Sequence, residues 1–142
     1  MKASKFLFAL FFILNIAITS ATAQNMPQSD EKIWIITLHI KEASKADFEK
    51  WMNDIFWTPM KNTQDPILKK QYTASRLLIP TQMNENKTWT YAFLIDPVIK
   101  GADYDIEHYL VNTYGEEKGK GYYKQFEDFM AGMGQVLVFN RP

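Results

Sequence analysis

Eight consecutive residues, Ile33-Trp34-Ile35-Ile36-Thr37-Leu38-His39-Ile40, are aliphatic, aromatic or β-branched at nearly every place and read as a strand. Side chains alternate across a strand. Trp34, Ile36, Leu38 and Ile40 therefore share one face, and Ile33, Ile35, Thr37 and His39 share the other. Both faces are largely apolar, the second turning polar towards its end. A strand of this kind needs cover on both sides, so any fold for the chain must bury this segment.

The segment before it reads as an address. Lys2 and Lys5 form a basic start, residues 6–18 are apolar except for Asn15, and Ala21-Thr22-Ala23 supplies the small residues a signal peptidase reads. An apolar run of 13 residues is short for a bilayer span, which takes roughly 20. Residues 1–23 are therefore expected to be a cleaved secretory signal. Residues 24–31 would be a flexible leader, and residues 32–142 a single domain that is secreted or periplasmic, with no stable membrane insertion after cleavage. Removing the two early lysines leaves 14 basic against 16 acidic residues, a balance that argues against a nucleic-acid partner. With no cysteine, disulfides and thiolate metal sites are excluded and the core alone must hold the fold.

Beyond the first strand, Ser44 is placed as a helix N-cap with Asp47 in the capping-box position. Phe48, Trp51, Met52 and Ile55 follow at helical spacing, and Pro59 is expected to end this helix near Trp57 or Thr58. Residues 60–71 are ambiguous, apart from one helical turn that Pro66 could start through Ile67 and Leu68. Residues 72–79 read as a strand stopped by Pro80, residues 82–86 as a turn, and residues 88–95 as a second strong strand, the two strands forming a hairpin. Asp103, Asp105 and Glu107 open a helical pattern carried by Ile106, Tyr109, Leu110 and Tyr114. After Gly115 a further helical run holds Tyr122, Tyr123, Phe126, Phe129, Met130 and Met133, with Gly132 and Gly134 as C-cap candidates. Residues 135–139 close the chain as a short strand.

The order is β-α-β-β-α-β, an α+β, ferredoxin-like pattern with an antiparallel sheet. In this order the opening strand at residues 33–40, the helix through Phe48-Glu49-Lys50-Trp51, the hairpin ending in residues 88–95, and residues 106–115 followed by 122–130 together resemble the dimeric α+β barrel superfamily. That superfamily includes antibiotic-biosynthesis-monooxygenase-like and haem-degrading small proteins. The resemblance implies a homodimer in which two sheets pack face to face and close a barrel. It also implies, as one activity, cofactor-independent oxygenation or haem degradation with Asn, Trp and His around the substrate; Asn53, Trp57 and His39 are available here. The pattern is compatible with pairing, since helices cover one sheet face while the other would still carry large groups such as Trp89 or Tyr91.

Motifs with chemistry are few. Residues 115–120 fall one residue short of a phosphate loop, and Gly121 replaces its hydroxyl residue. Asp103, Asp105 and Glu107 lack the glycine and the closing glutamate of a calcium loop, so no metal site is expected. Asn86-Lys87-Thr88 has the form of a glycosylation sequon. His39 is the candidate catalytic residue, as a general base or a haem ligand if its face lines a barrel; a hydrogen-bonded strand-end residue is the plain alternative. His108 reads as a surface residue. Thr37, Asn53, Trp57, Arg76 and Tyr91 are the candidate ligand contacts. The aromatics among them could line a pocket or fill core and interface, and Arg76 could grip a carboxylate or phosphate or simply face solvent. The expected function is binding of a small hydrophobic or aromatic molecule; the alternatives are the oxygenase or haem-degrading enzyme and a non-catalytic dimeric interaction protein.

Overall fold

The computed structural model describes residues 31–132 and 134–142. The proposed signal segment and nearly all of the leader lie outside the described residues. The chain runs β1 (Lys32–Lys41), a 3-10 turn (Glu42–Ser44), α1 (Lys45–Trp51), a π-helical segment (Met52–Trp57), α2 (Thr58–Asn62), α3 (Pro66–Ala74), β2 (Ser75–Leu78), β3 (Thr88–Ile95), α4 (Ile106–Tyr114), α5 (Glu116–Phe129), β4 (Met130–Gly132) and β5 (Val136–Asn140).

The β-branched opening run becomes the centre of an antiparallel sheet in the order β2-β3-β1-β4, and β5 also pairs with β1. Ile36 lies opposite Phe93 and Leu38 opposite Tyr91, while β2 completes the hairpin through Leu77 opposite Phe93. β4 and β5 share the remaining edge of β1, β4 beside His39 and Ile40 and β5 beside residues 32–36. Between them the chain closes on Thr37, whose N–H donates to Gln135 O at 2.8 Å and whose hydroxyl accepts from Gln135 N at 2.8 Å. Gly134 permits that approach: a Cβ there would fall 1.4 Å from Thr37 O.

The described helices cover one sheet face only. Leu38, Ile40, Tyr91, Phe93 and Ile95 are buried with Phe48, Trp51, Met52, Leu110 and Phe126 in one core. Tyr91 was expected on the uncovered face, but it is fully buried beneath α1, its ring 4.8 Å from Phe48. Trp89 packs against the same core, with Lys45 Nζ 5.1 Å from its ring centre. The register thus sends this set of β3 inwards. Ile33, Ile35, Ala92, Leu94 and Leu78 lie on the opposite face, which no described helix covers.

Four local expectations are corrected. Ser44 makes no side-chain cap, because the 3-10 turn leads directly into α1. Pro59 does not end the helix: it sits at the start of α2, where its missing N–H is tolerated, and the helical path continues to Asn62. Residues 72–74 belong to α3, not to a strand. The sequence Asp65-Pro66 starts that helix, Asp65 Oδ1 accepting from Ile67 N at 2.7 Å and Leu68 N at 2.9 Å. Finally, α5 stops at Phe129 and Met130–Gly132 extends into β4, so Gly132 and Gly134 cap no helix.

Candidate functional site

The π-helical segment and α2 bring Phe56, Trp57, Pro59 and Met60 to a hollow beside the sheet. Together with α3, α4 and the loop after β3 they enclose a cavity of about 560 Å³ on the helix-covered side. Ile36, Phe93 and Ile95 form its floor, and Phe56, Trp57 and Tyr109 stand along its walls. The aromatic walls are ordered by edge contacts. Phe56 lies 5.6 Å from Phe93 and 5.2 Å from Tyr109, and Trp57 lies 5.5 Å from Phe93 and 5.9 Å from Tyr72.

The position of the helix segment is set by backbone accounting. Pro59 has no N–H to offer, and a π-helical turn disturbs the regular ladder. Two hydroxyls from α4 supply donors instead. Tyr114 donates to Ile55 O at 2.9 Å and Tyr109 to Phe56 O at 2.8 Å. Burial pushes the Tyr109 hydroxyl up to about 12, so it remains a donor across the physiological range.

The mouth is acidic. Asp65, Asp103 and Asp105 line it, and among the described residues neither Lys, Arg nor His belongs to the lining. Asp103 Oδ1 accepts from Asp105 N at 2.9 Å, and its Oδ2 lies 3.1 Å from His108 Nδ1. The Asp105 N–H and then His108 hold the Asp103 carboxyl below its usual range, and Asp103 in turn raises His108. Behind them Gln71, only 6% exposed, donates from Nε2 to Asp103 O at 2.6 Å.

The candidate residues read from the sequence fall in three places. Trp57 lines the cavity. Thr37, His39 and Arg76 lie on the opposite sheet face, Arg76 opposite Leu94 and His39 opposite Thr90. There His39 Nδ1 is 3.0 Å from Thr90 Oγ1, which also accepts from Asn84 Nδ2 at 2.7 Å, and Thr37 is engaged with Gln135. Tyr91 donates to Glu49 Oε1 at 2.7 Å within the core, and burial raises its hydroxyl far above the ordinary value. Asn53 is exposed on the π-helical segment, where its amide donates to Asp54 Oδ1 at 2.8 Å. Within one chain, His39, Asn53 and Trp57 therefore do not converge. Among the described residues no histidine lines this helix-side cavity, so His39 would not hold haem in it. Gln71, Asp65 and Tyr109 were missed as site residues. The Asp-Pro pair at 65–66 was the signal available, since it opens the helix that carries Gln71.

No family profile and no curated protein matches the chain. Among solved structures it is similar in fold to one described as a "putative antibiotic biosynthesis monooxygenase" from Caulobacter crescentus. The identity is 16%, the match covers 81% of this chain and 92% of that one, and the TM-score is 0.44. The likeness is one of α+β fold alone. Fold and cavity together define a ferredoxin-like α+β protein with an apolar pocket between helices and sheet.

Proposed function

We propose that this protein is exported, pairs with a second copy, and binds a small hydrophobic or aromatic molecule in the helix-side cavity. One observation carries the binding reading: a cavity of about 560 Å³ walled by Phe56, Trp57, Phe93 and Tyr109. Small-molecule sites run from roughly 300 to 1,000 Å³ and are mostly apolar with a few fixed polar groups, and this cavity meets both conditions. Export is supported by the basic start, apolar run and small residues of the first 23 positions. Pairing is supported by the uncovered sheet face with Ile33, Ile35, Leu78 and Leu94.

The binding test is heteronuclear NMR of the purified protein with phenylpropanol and naphthalene. Shifts should cluster at Trp57, Phe93 and Tyr109, and Leu68→Trp, which fills the cavity from α3, should abolish them while the folded spectrum persists. Shifts confined to the opposite sheet face, or none at all, would remove this reading.

A further inference from the structure

The cavity's polar groups are one-sided, and that asymmetry selects among apolar ligands. Gln71 is the informative residue. Its Nε2 donates to a carbonyl oxygen, Asp103 O, which fixes which end of the amide is nitrogen. Its Oε1 is therefore an acceptor on a side chain 6% exposed that lines the cavity, and it receives no hydrogen bond from any described residue. Oε1 is thus an acceptor left open towards the cavity, and a ligand donor placed there would engage it.

The mouth repeats the same demand. Asp65 and Asp105 each spend Oδ1 on a helix N-terminus, and Oδ2 of each has no partner among the described residues. One histidine, His108, pairs with Asp103 and also feels Asp105, so it stands against three carboxylates and the mouth keeps a negative balance. Trp57 and Phe93 also line the cavity, and aromatic rings attract cations more than anions.

Resting on the binding reading above and deepening it, we propose that the ligand is an aromatic or aliphatic molecule ending in a protonated amine. Its apolar body packs against Trp57 and Phe93, and its ammonium donates to Gln71 Oε1 and faces the Asp65 and Asp105 carboxylates. Carboxylate and phosphate ligands are disfavoured by the same groups.

Calorimetric titration with phenylpropylammonium, phenylpropanol and phenylbutyrate tests this, because ring and chain are kept while the head changes charge. The cation should bind roughly tenfold tighter than the alcohol at low salt, the size expected of a few partly exposed charge contacts, and the anion weakest of all. Added salt should shrink the difference. Asp65→Asn combined with Asp105→Asn keeps both helix caps, since Asn caps as well as Asp, and should bring the cation-to-alcohol ratio to about threefold or less. Gln71→Leu should lower it too. A merely structural role would weaken all three ligands together and leave the ratio unchanged. Equal or tighter binding of the anion, or a ratio unmoved by the double Asn variant, overturns the amine assignment while leaving the cavity reading intact. Failure of all three ligands to bind overturns both.

Discussion

Two residues show how local chemistry is set by neighbours that the sequence does not display together. His108 lies five positions from Asp103, and the two meet at 3.1 Å because Asp105 caps α4 and turns the chain between them. The raised His108 value carries a definite sign. Its contribution to stability is complete below the unfolded histidine value of about 6.5 and fades as pH rises through the folded value. Proton NMR should find His108 titrating above free histidine, and Asp103→Asn should bring it back towards the ordinary value; an unchanged midpoint would mean that Asp103 is not its main partner. Gly119 is the second case. It sits within α5, where a Cβ would come 2.5 Å from Val111 Cα and 2.6 Å from Val111 N, both backbone atoms that cannot step aside. Gly119→Ala should therefore destabilise the protein by ~3 kcal/mol through forced separation of α4 and α5, read as a lower urea midpoint. The helix-propensity gain of alanine, under about 1 kcal/mol, works the other way and is outweighed.

At the scale of elements, the sequence carried the strands better than the helix ends. Residues 33–40 and 88–95 are rich in β-branched and aromatic residues, and both became paired strands within a residue of expectation. Pro59 misled because its local effect is to break a helix, whereas the fold supplies what it removes. Pro59 takes from Ile55 O its donor in an isolated helix, and two tyrosines 59 and 53 residues away in sequence donate to Ile55 O and Phe56 O. No local pattern contains that information. Tyr109→Phe and Tyr114→Phe should each cost about 1–2 kcal/mol by leaving a carbonyl unpaired. Because both hydroxyls hold one helical segment, the double variant should depart from the sum. Tyr109→Phe should also loosen the cavity wall and weaken ligand binding, while Tyr114→Phe, outside the cavity lining, should act on stability alone. Chemical denaturation and the binding titration separate the two effects.

At the scale of the whole molecule, the sheet divides the candidate residues between two environments. Trp57 belongs to the cavity side; Thr37, His39 and Arg76 belong to the uncovered side. The alternation of β1 was legible, but which face meets the helices depends on register, and a one-residue shift exchanges the sets. That is why Tyr91 was placed on the wrong side. The uncovered face now has a specific composition: Ile35 and Arg76 flank Leu94 in register, and Leu78, Leu137 and Phe139 are 46%, 43% and 47% exposed. Apolar groups at the centre of a sheet face argue for a covering partner, and a second copy is the partner proposed. Sedimentation equilibrium should find a dimer at tens of micromolar concentration, roughly the range expected of a specific interface. Leu94→Arg would bring a charge from each copy into that interface beside Arg76, and should convert the dimer to a monomer. The same variant lies across the sheet from the cavity, so ligand binding on the helix side should persist in the monomer. Loss of binding together with loss of the dimer would mean that the two faces act as one site, and a wild-type monomer would mean that the uncovered face serves some other partner.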